Sequence, residues 1–521
     1  MEIFDVSSEG LTAALSSTAL VCTTVVLLLF VYVTYVLVIA PALSPLNAIP
    51  GPKPSSILFG SMRDVTRVKW AEGHFPEPAL TWTLLYGGAV HYRFFLTQRV
   101  LLTDMDALKY VYTNADAFPR DKQARSILRN LVGGDGLLST EGPTHATMRK
   151  LLMPHFGLDT VKSYVGIFTQ HTTQLCALLG AAVDCGDPID VDALFIKMTL
   201  DVIGVAAFGY RFQSLSNGND RVLHAYRTTV THPSMLVGMG KAFLPFFDHW
   251  PIPSLVQAKQ AKQILYDAVD DVIAAKIKIR ARRDDATDLL DLLLEHNDMA
   301  PVEARAHILT FMLAGHETTS STLSWVFALL AQHPNVEARA RAEARAASAR
   351  LAASETTWAA LSELKYVAAV VQETLRLYPT VPQLAPRICT QDCTIPMSSG
   401  APIFLPKGTA IAVNTGAMHR NPVYWERPLE FLPERWIEGS ELYDADKLLR
   451  GGKGHTYCYM PFSTGLQNCL GMRFALAELH MVVALILAQF SLHIAPEANL
   501  NPSFRMALKP VKLAMTVHRV P

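Results

Sequence analysis

Apolar residues fall into three patterns along this chain. From Thr18 to Ala40 they form an uncharged run of 23 residues, long enough to cross a bilayer core as a helix. Beyond it, apolar positions recur at helical spacing around 143–153, 159–180, 191–208, 258–282, 301–332, 359–377 and 472–490, which predicts a mostly helical body. The Ala/Arg/Glu-rich stretch Val336–Arg350 reads as a solvated helix. Alternation appears in short pieces only. Residues 89–104 predict a hairpin turning at Thr97-Gln98-Arg99, and strand-like segments lie near 402–413 and 510–519. The expected fold class is mainly α with a small, largely antiparallel β portion.

The flanks of the first run orient it. Glu2, Asp5 and Glu9 precede it, and the first basic residues, Lys53, Arg63 and Arg67, follow it. A secretory signal has a basic start and a shorter apolar region. The positive-inside rule places residues 1–17 as a luminal tail, 18–40 as a transmembrane anchor and the body in the cytosol. Residues 41–54 carry five prolines in the sequence PALSPLNAIPGPKP and read as a semi-rigid stalk. Residues 55–521 read as one body, with no internal repeat and no comparable second span.

Composition narrows the function. Lys plus Arg and Asp plus Glu balance at 46 each, and half of the residues are hydrophobic, unlike a nucleic-acid binder or a disordered chain. The seven cysteines, Cys22, Cys176, Cys185, Cys389, Cys393, Cys458 and Cys469, do not make a disulfide framework or a zinc site. Cys469 is set apart by its surroundings. It sits in PFSTGLQNCLGMRFA, residues 461–475, opening the last long helical run. A cysteine near a helix amino terminus sees the positive end of the macrodipole, which favours the thiolate. Free backbone N–H groups there can bond the sulfur. Gly465 permits a tight turn, and Gly471 clears space where a flat cofactor can approach the backbone.

Phe462, Gly465, Cys469 and Gly471 resemble the haem-binding signature of the cytochrome P450 family, whose cysteine thiolate ligates haem iron. One position departs from it. Gln467 stands where the family usually has Arg or His, and a glutamine cannot neutralise a haem propionate. Ala314-Gly-His-Glu-Thr-Thr319 resembles the family's oxygen-activation motif. There Gly315 would leave room for dioxygen, Thr318 would supply the hydrogen-bonding alcohol, and Glu317 would relay protons through water. Glu373 and Arg376, helical neighbours at i and i+3, resemble with Arg435 the family's Glu–Arg–Arg brace. His145 and Arg149, one helix turn apart, and Arg387 resemble its propionate ligands.

The resemblance implies a cytochrome P450 fold holding haem b between the 301–332 helix and the Cys469 loop. It implies a monooxygenase inserting one atom of dioxygen into a hydrophobic small molecule: a terpenoid or other secondary metabolite, sterol, fatty acid or xenobiotic. Electrons would come from NADPH through a separate NADPH–cytochrome P450 reductase, docked near Lys150 and Arg473, with cytochrome b5 as a further donor. The site would be the endoplasmic reticulum membrane, single-pass, with no nucleic-acid partner. The segments 120–138, 210–256, 381–385 and 500–507 would line the pocket, with Ile127, Leu128, Leu131 and Leu138 as an apolar wall. Two alternatives stay open: a haem-thiolate isomerase or dehydratase that needs no reductase, and a non-catalytic haem-binding membrane protein.

Overall fold

The computed structural model describes residues 8–67, 70–217, 220–229, 237–238, 240, 244, 246–280, 288–295, 301–352 and 357–520. Part of the expected luminal tail, and part of the 210–256 segment expected to line a pocket, lie outside these residues. Helix α1 (Ser8–Thr34) continues through a wide π turn, Tyr35–Ile39, into Ala40–Ala42. Pro41 lacks an N–H, and the wide turn lets the rod pass through it. The large apolar side chains Leu20–Ile39 are mostly exposed, and at the end of the segment Arg93 donates to the Leu37 carbonyl at 2.9 Å. The stretch 41–54 does not stand clear of the body. Ser44 caps a short 3-10 turn, Pro45–Ala48, and Leu46 and Ile49 bury themselves against Leu102, Leu108 and Val111.

Among the described residues, eleven strands and a set of long helices follow, in the proportions expected. Strands β1 (Ala89–Phe94) and β2 (Thr97–Leu102) pair from Ala89–Leu102 to Phe94–Thr97. The hairpin turns at Phe95-Leu96, with Phe95 at φ 56°, two residues earlier than the polar pattern predicts. Gln98 and Arg99 are strand residues with side-chain neighbours across the ladder. The Gln98 side chain meets His91 at 3.1 Å, and the Arg99 guanidinium lies 4.6 Å over the Phe94 ring. Strand β7 (Ala410–Asn414) runs parallel to β2 and antiparallel to β4 (Gln383–Ile388), closing a sheet of order β1-β2-β7-β4. Three smaller antiparallel groups pair β3 (Ile189–Asp190) and β8 (Phe490–Ile494) with β11 (Ala514–Arg519), β5 (Cys393–Ile395) with β6 (Ile403–Leu405), and β9 (Asn499–Phe504) with β10 (Leu508–Lys512).

The helices that position the site are α2 (Lys122–Val132), α3 (Gly142–Leu152), α4 (Val191–Phe208), α5 (Pro301–Gln332), α6 (Pro334–Ala352), α7 (Lys365–Leu377) and α8 (Met472–Gln489). The expected 359–377 helix is broken at Leu364 into a short turn of helix and α7. Helix α6 is not merely solvated. Ala340, Ala344, Ala347 and Leu351 form a buried stripe at helical spacing. Helices α5 and α8 are buried on most sides, and their apolar residues form the main core with Phe195, Phe208 and Val367. Helix α8 has the length and apolarity of a span, but it is the buried centre of the body.

Candidate functional site

The loop before α8 is built to present Cys469. Ser463 and Gly465 take left-handed backbone angles, φ 58° and 74°. A Cβ on Gly465 would come within 2.9 Å of the Tyr112 carbonyl, so glycine is needed here both for its φ and for the close approach. The chain then turns back, and the Cys469 N–H donates to the Phe462 carbonyl at 2.8 Å. Arg149 reaches across from α3 to the Asn468 carbonyl at 2.8 Å and the Asn468 Oδ1 at 2.5 Å. The sulfur remains accessible. Burial raises its pKa, while the Gly471 N–H and the Arg149 guanidinium lower it again. The positive helix end therefore does not by itself make a thiolate here. Around Gly471 a Cβ would meet only Phe156, at an ordinary 3.8 Å, so the protein's own packing does not demand glycine there.

A buried brace holds this loop. Glu373 accepts two bonds from Arg376, both 2.8 Å, and one from Arg435 at 3.0 Å, and all three side chains are fully buried. The Leu432 N–H and Trp436 Nε1–H complete its shell at 2.9 and 3.0 Å. Asp446, which sequence reading did not single out, neutralises Arg435 at 2.5 Å. Arg376 in turn donates to the His419 carbonyl at 2.7 Å, and His419 Nε2 accepts from the Met460 N–H at 2.9 Å. That contact leads from the brace to the residue before Pro461. Burial pushes His419 down to about 3, so it stays a neutral acceptor.

Beside the loop lies a group of charged residues. Arg387, on β4, donates to the Phe118 carbonyl at 2.7 Å and to Gln467 Oε1 at 2.9 Å, and stacks 4.4 Å over the Tyr112 ring. Its buried Nε has no partner. Gln467 Nε2 donates to Glu141 at 2.6 Å, and Arg120 pairs with the other Glu141 oxygen at 2.5 Å. His145 is buried nearby, its pKa lowered by burial and by Arg120. Arg149 shares its helix face but is turned to the Cys469 loop. Sequence reading missed Arg120 and Glu141, because each shows its role only when the fold joins residues 120, 141, 387 and 467.

Helix α5 places its motif residues differently from one another. Ala314 is exposed and Gly315 and Thr318 are half-buried on an otherwise buried stretch, Ala314 and Thr318 lying one turn apart. The Thr318 hydroxyl donates back to the Ala314 carbonyl at 2.7 Å. Glu317 is buried, 3.9 Å from His316 Nε2. A Cβ on Gly315 would meet Ile203 Cγ1 on α4 at 2.9 Å. The reason for glycine that the packing supplies is thus the close approach of α4, on the side where that Cβ would point. Phe311, one turn before Gly315, stacks on Phe156 at 5.6 Å, and Phe156 is the neighbour of Gly471. These contacts bring the α5 motif and the cysteine loop to one place.

Haem fits this donor set. A single accessible sulfur suits an iron that a macrocycle already ligates, and among the described residues no group of three His, Cys, Asp or Glu is placed to hold a bare ion. The orphaned Arg387 Nε is a buried donor lacking an acceptor, which a haem carboxylate supplies.

Comparison with known proteins agrees. The family model described as Cytochrome P450 matches residues 50–517. The chain is 28% identical to "Cytochrome P450 monooxygenase 205" of Postia placenta over 512 residues, covering 91% of each. It is 30% identical to "Cytochrome P450 4A2" of Rattus norvegicus over 451 residues, covering 83% of this chain and 84% of the relative. It is 27% identical to "Protein LUTEIN DEFICIENT 5, chloroplastic" of Arabidopsis thaliana, covering 84% and 74%. By sequence, fold and site, the chain belongs to the cytochrome P450 family.

Proposed function

We propose that this cytochrome P450 monooxygenase is an endoplasmic reticulum enzyme, anchored by Thr18–Ala40, that oxidises a lipophilic small molecule with electrons relayed from NADPH by a separate reductase. The observation that carries the reading is the presentation of Cys469 on a braced loop beside an unpartnered buried donor of Arg387. The haem supplies the iron that activates dioxygen. The protein's residues do the rest. Cys469 offers the sulfur ligand, and the Gly471 N–H bonds that sulfur and tunes it. Arg387 and Arg120 would form the cationic edge for the haem carboxylates, with His145 beside them as a buried neutral hydrogen-bonding group, and Phe462, Gly465 and Gly471 shape the cysteine loop.

Glu317 and Thr318 hold and move protons. The Thr318 hydroxyl spends its hydrogen on Ala314, so its oxygen is free to accept from water. Glu317, buried behind it, is the acid that recharges that water. Exposed Lys150 and Arg473 offer positive charge to a reductase or to cytochrome b5. The exposed apolar surface of Leu20–Ile39 supports insertion in the bilayer, which also concentrates lipophilic substrates.

The test is reconstitution of the full chain in lipid vesicles with reductase, NADPH and a panel of apolar compounds under isotopically labelled dioxygen. One labelled oxygen atom in the product, dependent on NADPH and reductase, is the expected result. Rearrangement of organic peroxides without NADPH would instead establish the isomerase or dehydratase alternative.

A further inference from the structure

Gln467 is the one departure from the family's loop pattern, and its contacts give it a purpose. An amide both donates and accepts. Gln467 Oε1 accepts from Arg387 Nη2 at 2.9 Å while its Nε2 donates to Glu141 Oε2 at 2.6 Å. An arginine has donors only. Placed here it would still meet Glu141, but it would set guanidinium against guanidinium at Arg387. Glu141 is fixed from its other side by Arg120 at 2.5 Å, and that pair is largely buried, with side chains 10% and 16% exposed. Arg120 is held in turn by the Thr140 carbonyl at 2.6 Å. The four side chains therefore carry two cations and one anion, with a neutral amide where the family pattern has a third cation.

We propose that Glu141, clamped by Arg120 and Gln467, is a fixed negative charge at the carboxylate edge of the haem that lowers the reduction potential of the bound iron, and that Gln467 is an amide because it must join this acid to Arg387. This rests on the haem-thiolate reading above. The physical reason is Coulombic. Reduction adds one electron to the ferric haem, and a nearby carboxylate in a weakly screened site opposes that added charge. Glu141 and Gln467 are positioning residues: they act through Arg120, Arg387 and the local field.

The experiment is a spectroelectrochemical titration of the full-length holoprotein with dithionite as reductant, comparing wild type, Glu141→Gln and Gln467→Glu. Removing the charge at 141 shifts the ferrous-to-ferric ratio at fixed applied potential upward by about tenfold, which is 59 mV for a one-electron couple. A carboxyl at 467 shares its site with Glu141, so it adds less than a full charge and shifts the ratio downward by less than tenfold. A purely structural role would not make the two variants move in opposite directions. Potentials that stay at the wild-type value, or move the same way, overturn the proposal. If Glu141→Gln does not retain haem, the direction of Gln467→Glu decides alone. Wild-type protein whose reduced carbonyl spectrum lacks a thiolate signature would instead overturn the haem-thiolate reading itself.

Discussion

Replacing Glu373 by glutamine changes one oxygen to an amide and removes one charge from the most deeply buried ionic group of the molecule. Five donors converge on the carboxylate: Arg376 Nε and Nη2, Arg435 Nε, Trp436 Nε1 and the Leu432 N–H. Three lie on Oε1 and two on Oε2, so whichever way the amide is turned, its NH2 faces at least two donors. Two lost bonds to a charged group cost roughly 3–6 kcal/mol. Breaking a buried pair typically costs about 3–5 kcal/mol. Arg435 keeps Asp446, and Arg376 keeps the His419, Pro428 and Glu430 carbonyls, which places the loss near 3 kcal/mol, the low end of both ranges. The assay is urea unfolding of the detergent-solubilised full chain, with haem release followed in parallel. Haem should also leave faster, because the brace reaches the cysteine loop through His419 and Met460. The control is Glu363→Gln, which removes the exposed Arg350 partner at 2.7 Å and should leave the midpoint unmoved. A Glu373→Gln midpoint no lower than the control's would refute the reasoning.

Gly315→Ala should be destabilising by about 0–2 kcal/mol, overpacking against Ile203 being partly offset by better helix propensity. Ile203→Val, which costs roughly 1 kcal/mol alone, should recover part of that loss in the double variant; strictly additive effects would contradict the contact. Acid should weaken the fold, since His307 and His480 are pushed down to about 4 and His419 to about 3 by burial. Below their ordinary 6.5 the unfolded chain binds three protons that the native state refuses, so this stability is complete above that pH and lost as pH falls. Buried Glu478 is raised well above 4.5 and works in the opposite sense, keeping a proton that the unfolded state has released. His91, His145, His155, His171, His316, His333 and His455 are lowered by burial too, so histidines outnumber Glu478 and stability falls as pH drops below about 6.5. Urea midpoints measured at about pH 7.5 and about pH 5.5 check it, and a flat profile would contradict it.

The parts of the molecule legible in the sequence were those whose signal is local. Cys469 stood out because its loop needs glycine at 465, where φ is 74° and the Tyr112 carbonyl presses close. Long helices were visible from the spacing of large apolar residues. Helix α6 showed only its charges, because the alanines that bury it carry little hydrophobic signal. The hairpin turn was misplaced because polar strand residues at 98 and 99 pair across the ladder, while the actual turn holds Phe95 and Leu96. Leu46 and Ile49 are isolated apolar residues among prolines, and only the folded body shows that they dock. Arg120 and Glu141 carry no motif, and their charge group exists only once four distant stretches meet.

The measurement that tests the central claim most directly is the carbon-monoxide difference spectrum of the reduced full-length protein, with Cys469→Ser beside it. The account predicts a strongly red-shifted Soret band in the wild type that is absent from the serine variant. Folded wild-type protein that takes up no haem, or a serine variant with an unchanged band, would contradict it.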